Sequence, residues 1–313
     1  MNNEERFSAY DKWVKYGPNH KERTNSFVKK ENEAFDFLES YGKVFNHYSA
    51  NVSQPNPFST NVMFIIDTLN KANVKSSIDI FKYHGSSISN WEHEINDHKL
   101  VNIIAEPNPQ AEGAALLFVA HHDVANTRSE NAQDNKASVS HLLTLANLIK
   151  NSKEDLKRVI LLFSDCEEFS AKGAYRFADN SKLDRSSGNP KILHNIYGEI
   201  SGVINLELSG VGKVIWSDCE KNIKDIELHD YLEKVFGGEI IKVHTPPSDV
   251  IAFRRNNYPT LCIGTLKEDD VKERNTWRLC HSINDTVDKC SRGDMKDFTG
   301  FLFDLTKKNF FEV

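Results

Sequence analysis

Side chains that commonly bind divalent metals recur along this chain, each lying just beyond an apolar run. Imidazoles and carboxylates supply neutral nitrogen and anionic oxygen donors, the mixture that zinc prefers, with one carboxylate left over to act as a base. One such cluster is common on protein surfaces, but an ordered series of five clusters favours a metal centre. In chain order, the candidate residues are His121, Asp123, Asp134, Glu167, Glu168, Glu207 and His281.

The first cluster, in the segment LLFVAHHDV, has two histidines and an aspartate. His121 and Asp123 are two positions apart, so in an extended segment they face the same side while His122 faces the other. That geometry suits a metal-bound imidazole at His121 with Asp123 as its orienting partner. A polar pair on a loop is the alternative for this cluster taken alone, and His122 has the weaker claim.

The next two clusters are carboxylates at the ends of predicted elements. Asp134 stands at the start of a predicted helix, where it suits either an N-cap or a bridge between two metals roughly 3.5 to 4 Å apart. Glu167 and Glu168 are adjacent, so their side chains diverge. One of them can bind a metal while the other reaches the water that is to be activated. A solvated acidic turn is the alternative for this pair.

The last two candidates differ in how strongly their surroundings support them. Glu207 interrupts VINLELSG, which otherwise has the pattern of a buried strand. A buried carboxylate without a cation or hydrogen bonds is costly, so a functional role is favoured at Glu207. His281, in CHSINDT, is a single histidine on a predicted loop, and only its place in the series supports it.

Composition limits the classes of partner. The 45 acidic residues outnumber the 39 basic ones, which gives a net charge of −6 without a dense basic run. We therefore expect neither nucleic acid nor an anionic membrane as a partner.

The pattern of charged residues and cysteines limits the location. The N-terminus has charges where a secretory signal needs an apolar stretch, and no segment approaches the roughly 20 apolar residues of a membrane span, so we predict a cytoplasmic protein. The five cysteines lack any CxxC pairing, which argues against a disulfide framework. Cys280 and Cys290 alone are close enough in sequence to raise the question of a bridge.

Strand-like and helix-like segments alternate along most of the chain. The predicted strands are Ser77–Lys82, Leu100–Ala105, Ala114–Ala120, Arg158–Phe163, Gly202–Leu208, Lys213–Trp216, Glu239–Val243 and Thr260–Gly264. The predicted helices are Thr24–Tyr48, Thr60–Ala72, Lys136–Lys150, Ala171–Asp179, Ile226–Phe236, Asp249–Arg255 and Gly293–Lys308.

Several of these strands are continuous apolar runs, as expected for a sheet that helices cover on both faces. The pattern predicts a three-layer α/β/α sandwich with a mostly parallel, mixed central sheet. Residues 1–23 are predicted to be a polar arm and residues 24–313 one catalytic domain. Surface loops are predicted over Asn180–Pro190 and Lys267–Arg278. Ligands collect at the carboxyl ends of strands in such sheets, so we expect the candidate residues to converge on one edge.

The ordered motifs resemble those of the co-catalytic zinc exopeptidases of the bacterial leucyl aminopeptidase and glutamate carboxypeptidase type. The matching motifs are His121-x-Asp123, Asp134-Asn135, Glu167-Glu168, Glu207 after a strand, and His281 before Asp285-Thr286. The resemblance implies a phosphorylase/hydrolase-like fold with two zinc ions. His121 and Glu207 would bind one ion, and Glu168 and His281 the other. Asp134 would bridge the ions, Glu167 would be the general base, and Asp123 would orient His121.

Three positions depart from the family pattern. The family commonly has Asp where Glu207 stands, and small residues where Lys136 and Ser138 stand. A segment containing Ser248, Asp249 and Phe253 is loosely similar to one that lines the family's substrate pocket. Too few positions separate Glu207 from His281 for the lid domain of the related aminoacylase-like enzymes, so no lid is expected.

The resemblance implies hydrolysis of a peptide or related amide bond, with an aminopeptidase favoured and a peptide or aminoacyl compound as substrate. A single-zinc acyltransferase like the glutaminyl cyclases is the first alternative; it would need Asp134, Glu168 and His281 but not His121. A carboxypeptidase, dipeptidase or aminoacylase-type amidohydrolase is another, and a non-catalytic metal-binding relative is the last. The sequence leaves the side-chain preference and the oligomeric state open.

Overall fold

The computed structural model describes residues 34–42, 60–83, 98–125, 129–180, 198–218, 222–272 and 279–308. The polar arm predicted over residues 1–23 lies outside these ranges, as does nearly all of the loop predicted over Asn180–Pro190. Of the helix predicted over Thr24–Tyr48, the described part is helical from Ala34 to Gly42. The extent of the catalytic domain therefore stays a prediction.

All eight predicted strands are present in the described ranges. They are β1 Lys75–Tyr83, β2 His98–Glu106, β3 Ala115–His121, β4 Val159–Ser164, β5 Ile200–Leu206, β6 Val214–Ser217, β7 Ile241–Lys242 and β8 Thr260–Leu266. The helices are α1 Ala34–Gly42, α2 Thr60–Lys71, α3 Ala137–Asn151, α4 Lys172–Asn180, α5 Ile223–Phe236, α6 Val250–Arg254, α7 Glu268–Lys272 and α8 Arg292–Asp304. A π-helical turn, Ala132–Lys136, precedes α3, and a 3-10 turn, Val287–Lys289, precedes α8.

The eight strands form one mixed sheet in the order β1-β2-β4-β3-β5-β8-β6-β7. Its centre is parallel, because β4, β3, β5 and β8 pair with their neighbours in the same direction. Strands β1 and β2 are antiparallel to their neighbours on one side, and β6 is antiparallel to β8 on the other. This topology confirms the predicted sheet.

Both faces of the sheet are covered, as the apolar runs predicted. Along β3, Leu116 and Phe118 contribute to one hydrophobic cluster while Leu117 and Val119 contribute to another. The first cluster includes residues of α2, α3, α5 and α8, and the second includes residues of α4 and α6. Alternate side chains of a strand point to opposite faces, so a strand buried on both sides must be apolar at every position. The three-layer α/β/α architecture is thereby confirmed.

Helix α5 begins three residues before its predicted start. The side chain of Asn222 accepts a hydrogen bond from the Asp225 N–H at 2.9 Å, which caps the first turn. At the other end Gly237 takes a left-handed φ of 70°, the usual conformation for a residue that ends a helix. The cap is polar, so it does not show in the apolar period from which the helix was predicted.

Two sequence predictions about secondary structure are wrong: the end of one strand and the nature of one loop. The strand predicted over Gly202–Leu208 ends at Leu206, because Leu208 takes a positive φ of 51° and the chain leaves the extended conformation. Glu207, which the predicted strand included, therefore lies just beyond the end of the observed strand. The loop predicted over Lys267–Arg278 contains the short helix α7, whose acidic sequence has no apolar period to reveal it.

Within the described part of the chain, no helix is long and apolar enough to cross a membrane.

Candidate metal centre

The candidate ligands meet at the carboxyl edge of the parallel part of the sheet. His121 is the last residue of β3, Glu168 follows the end of β4, and Glu207 comes directly after β5. His281 lies beyond β8 and α7. Because β4, β3, β5 and β8 run in the same direction, their ends lie on one edge, and the chain that leaves them carries all these side chains to the same place.

The carboxylate of Asp134 lies between two groups of ligands. Its Oδ1 is 3.3 Å from His121 Nε2, and that same nitrogen is 3.3 Å from Glu207 Oε2. Its Oδ2 is 3.4 Å from His281 Nε2, which lies 2.9 Å from Glu168 Oε2. The two oxygens of Asp134 thus face two different histidine–glutamate pairs, which is the arrangement expected of a carboxylate that bridges two metal positions.

Asp134 is held by a second carboxylate from a distant part of the chain. Asp285 Oδ1 accepts a hydrogen bond from the Gln133 N–H at 2.7 Å, and Asp285 Oδ2 accepts one from the Asp134 N–H at 3.0 Å. Ser129 donates its hydroxyl to the carbonyl of Asp285 at 2.6 Å. Helix α3 has no side-chain cap at its N-terminus, so the N-cap role considered for Asp134 does not apply. The carboxylate of Asp134 is directed to the histidines instead.

We expect Asp285→Ala to weaken zinc binding by roughly 10–100-fold, the usual effect of removing a residue that orients a ligand. The substitution frees the Gln133 and Asp134 amides from their acceptor, so the bridging carboxylate loses its fixed position. Isothermal titration with zinc measures the change. Asp288→Ala, at an exposed position in the following turn, is the control. Unchanged affinity in Asp285→Ala would rule out the orienting role.

Asp123 contacts both the first histidine and the glutamate pair. Its carboxylate accepts hydrogen bonds from the Glu167 N–H at 3.0 Å and from the Glu168 N–H at 3.3 Å. Its Oδ1 is also 3.4 Å from His121 Nδ1, and its carbonyl oxygen is 3.1 Å from the same nitrogen. A single buried carboxylate thereby positions His121 and the backbone of both glutamates. Of these contacts, the sequence predicted only the one between Asp123 and His121.

His122 faces the other side of the strand end. Its Nε2 lies 2.8 Å from the carbonyl oxygen of Val101, and the residue is buried. This places the imidazole against strand β2, on the far side of β4, and away from the ligand cluster.

Glu167 and Glu207 occupy the His121 side of the cluster. Glu167 Oε2 is 4.0 Å from His121 Nε2, so this carboxylate is beside the ligands and lines the same cavity. Glu207 is oriented by Asn205, whose Nδ2 donates to Glu207 Oε1 at 3.1 Å. The longer glutamate at this position therefore reaches His121 with its other oxygen.

Burial is the largest influence on the pKa of the three glutamates. It raises the pKa of Glu167 and Glu207, and it raises that of Glu168 to about 7. Nearby carboxylates add to the effect, as Asp134 does on Glu168. Among the described residues, Glu168 Oε1 is buried without a hydrogen-bond partner. Buried carboxylates are costly unless a cation neutralises them. Two imidazoles together with several buried carboxylate oxygens therefore fit a divalent metal of the zinc type.

Chelation of the metal is expected to lower the Tm by about 5–10 °C relative to protein in zinc at roughly 100 times its Kd. Binding at that excess contributes about 2.7 kcal/mol, and each kcal/mol shifts the Tm of a large domain by about 2–4 °C. Thermal melts with and without zinc measure the shift. An Asp134→Ala variant should not respond to zinc, and equal melts of the wild type in both conditions would contradict a metal centre.

The two unusual residues near Asp134 do not occupy the cluster. Lys136 is 2% exposed, and its Nζ lies 5.2 Å from the centre of the Tyr41 ring in α1. Burial lowers its pKa to about 7. Ser138 Oγ is 2.7 Å from Ser209 Oγ. Both departures from the family pattern are thus accommodated by contacts with neighbouring elements.

The loosely similar pocket segment is only partly at the pocket. Ser248 lines the cavity, but Asp249 is fully buried and accepts a hydrogen bond from the Ser164 hydroxyl. Phe253 lies in the core, with its ring 6.3 Å from that of Phe177. Phe253 is therefore a packing residue, because helix α6 turns its apolar side towards α4.

The ligands open into a cavity of about 620 Å³. Its walls include all five candidate ligands together with Glu167, while other parts are formed by Lys172, Tyr175 and Arg255. The guanidinium of Arg255 lies 5.5 Å from the centre of the Tyr175 ring. A space of this size suits a small molecule or a few residues of a peptide.

One further side chain at the cluster was not assigned a role from the sequence. Cys280 Sγ is 3.2 Å from Asp134 Oδ2, so this thiol is part of the cluster. Cys280 and Cys290 are both free thiols, and no bridge joins them. The signal available in the sequence was the position of Cys280 directly before His281.

The sequence profile of peptidase family M28 matches residues 102–306. No curated protein matches the chain by sequence.

Several solved structures share the fold. The Porphyromonas gingivalis glutaminyl cyclase has a TM-score of 0.67 and 14% identity, covering 89% of this chain and 98% of that chain. The Legionella pneumophila LapA aminopeptidase has a TM-score of 0.62 and 14% identity, covering 93% of this chain and 74% of that chain. The aminopeptidase from Aneurinibacillus sp. strain AM-1 has a TM-score of 0.51 and 18% identity, covering 66% of this chain and 47% of that chain. At these identities the similarity is one of fold.

Proposed function

The chain belongs to peptidase family M28, and from that premise we propose that it is an aminopeptidase with two zinc ions in one site. Membership places it among metal-dependent hydrolases and related acyltransferases. The observation that carries the finer proposal is the division of the Asp134 carboxylate between His121 and His281. Each oxygen faces its own histidine, and each histidine has its own glutamate partner, which supports the proposal of two metal positions.

His121 and Glu207 are the residues that favour two ions over one. A single-zinc cyclase would use Asp134, Glu168 and His281, and would leave His121 without a ligand role. Here His121 is 1% exposed and lies 3.3 Å from oxygens of both Asp134 and Glu207. A buried imidazole among carboxylates is the arrangement of a second metal position. The overall similarity to glutaminyl cyclases does not weigh against this, because one fold supports several reactions.

Glu167 is the general base in this proposal. Zinc ions held by the five ligands would supply Lewis acidity that acidifies water and polarises the scissile carbonyl. Glu167 accepts the proton of the attacking water at its carboxylate and later delivers it to the leaving amine. Asp123 fixes the Glu167 backbone through its N–H, so the base keeps its place in the cavity.

The charges around the cavity favour short peptides as substrates. Carboxylates surround the metal positions, and a protonated α-amine is attracted to such a region. Lys172 and Arg255 line the same cavity, where a peptide carboxylate can meet a positive charge. A peptide of a few residues presents both groups to the cavity at once.

Digestion of a peptide library by the zinc-reconstituted protein tests the function. We expect release of single N-terminal residues. N-acetylated analogues lack the charged amine and should be cleaved roughly 100-fold more slowly, the effect of losing a strong hydrogen bond to a charged group. Peptides with a C-terminal amide should have a raised KM. Efficient cleavage of the acetylated peptides would support a carboxypeptidase or aminoacylase instead. Cyclisation of N-terminal glutamine without hydrolysis would establish the cyclase, and no turnover at all would support a non-catalytic relative.

A further inference from the structure

The thiol of Cys280 lies against the ligand cluster and has no part in the function proposed above. Its sulfur is 3.2 Å from Asp134 Oδ2, and the residue is half-buried and lines the cavity. Ligand atoms of Asp134, Cys280 and His281 all lie within 4.8 Å of one another. A soft sulfur donor thus accompanies the nitrogen and oxygen donors on one side of the bridging carboxylate.

The separations between these donors suit one tetrahedral zinc ion. With zinc bonds of about 2.3 Å to sulfur and about 2.0–2.2 Å to nitrogen and oxygen, neighbouring ligand atoms lie roughly 3–4 Å apart. The observed separations from Asp134 Oδ2 are 3.2 Å to Cys280 Sγ and 3.4 Å to His281 Nε2. Glu168 Oε2 is 2.9 Å from the same histidine nitrogen.

We propose that Cys280 is a sulfur ligand of the metal position formed by Asp134, Glu168 and His281. The inference rests on the proposed function, since it concerns one of its two metal positions. When a metal binds, the thiol releases its proton to solvent and the sulfur binds as thiolate. The thiolate then joins the donors of Asp134 and His281, with which it forms one group. With Glu168, whose Oε2 is 2.9 Å from His281 Nε2, as a further ligand, this position would have four protein donors.

A sulfur ligand makes the two positions unequal. The position on the other side of Asp134 has three protein donors, from His121, Asp134 and Glu207. Four-donor zinc sites are closed, whereas sites with three donors keep a place for water or substrate. With Glu168 as the fourth donor of the Cys280 position, the open place belongs to the His121 position, and Glu167, 4.0 Å from His121 Nε2, is on that side. The Cys280 position holds its metal more tightly and takes soft metals more readily.

Cys262 provides a matched control, because it is a second thiol that lines the same cavity. Its sulfur accepts contacts from Ser248 Oγ at 3.9 Å and Asn205 Nδ2 at 3.7 Å. Among the described residues it is not in a group of ligand atoms that would surround a metal.

Cobalt substitution of the full chain under reducing conditions tests the ligand. We expect the wild-type protein to show a thiolate-to-cobalt charge-transfer band in the near ultraviolet that saturates with one equivalent of cobalt. Cys280→Ser should lose this band, and Cys262→Ser should keep it. Competition with a chromophoric chelator should show that Cys280→Ser loses more than the roughly 10–100-fold in affinity that removal of an outer-shell partner costs. Circular dichroism establishes that both variants fold.

Two outcomes overturn the inference alone, and a third overturns the proposed function as well. If the wild type binds two cobalt ions without a thiolate band, or if Cys280→Ser keeps the band, Cys280 is only a hydrogen-bond donor to Asp134. The two-metal site would stand in either case. If the wild type binds no cobalt, the proposed function fails together with the inference.

Discussion

Replacing Glu167 by glutamine is expected to lower kcat by about 10²–10⁴-fold, the usual contribution of a general base, while leaving the metal content unchanged. Glutamine has nearly the shape of glutamate but does not accept a proton at neutral pH. Glu167 lies next to the ligands, and its backbone N–H is held by Asp123, so the substitution should not disturb their positions.

Kinetics and elemental analysis on the same preparations measure the two quantities. Glu112→Gln is the matched control, because Glu112 is exposed and lies away from the cavity. Full activity in Glu167→Gln would show that another group takes the proton. Loss of metal together with activity would show that Glu167 is itself a ligand, because one of its oxygens lies within 4.8 Å of ligand atoms of His121 and Glu168.

Replacing Asp134 by alanine is expected to remove both zinc ions. The loss of activity should exceed that expected for loss of the base, which is about 10²–10⁴-fold. Asp134 is the one residue among the five candidate ligands that contacts both histidines, with one oxygen on each. Each position would be left without its shared ligand. Elemental analysis after dialysis should change from two ions per chain to nearly none.

Single-sided variants give the comparison that identifies the bridge. Glu207→Ala removes a proposed ligand from the His121 position, and His281→Ala removes one from the Glu168 position, so each variant should lose one ion. If Asp134→Ala also lost just one ion, the carboxylate would serve a single position and the one-zinc alternative would gain support. Thermal melts of the chelated proteins establish that the variants fold.

A few residues would distinguish an aminopeptidase from a glutaminyl cyclase on this fold. The fold is shared with glutaminyl cyclases and with aminopeptidases, and residues 102–306 match one family profile. Lewis-acid chemistry at a carbonyl serves both reactions. What would separate them is a second metal position, for which His121 and Glu207 are the proposed ligands. The two metal-content predictions above therefore bear directly on which reaction is catalysed.

Much of this fold was predictable because its sheet is buried on both faces. The continuous apolar runs at β3 and β4 mark strands without any partner being known, since every side chain there lacks contact with water. The candidate ligands were identifiable for a related reason. Polar residues such as His121 and Glu207 come directly at the ends of these runs, and parallel strands bring their carboxyl ends to one edge.

Other features depended on contacts between distant parts of the chain. Asp285 holds the Asp134 amide across 151 positions, and the Cys280 thiol meets Asp134 across 146. Neither pair shares a local period. The same is true of Asp123, whose carboxylate accepts the backbone N–H groups of Glu167 and Glu168.

The sequence by itself indicated the layers, the order of the strands along the chain and the set of side chains among which the candidate ligands lie. These follow from local residue type, because burial on both faces and the donor chemistry of imidazole and carboxylate are properties of single segments. The family resemblance implied that Asp134 stands between His121 and His281. Only the tertiary structure showed how far each of its oxygens lies from those histidines, which carboxylate holds it, and that a thiol joins one side. Those outcomes depend on distances of a few ångströms between loops, which are set by how the whole sheet packs.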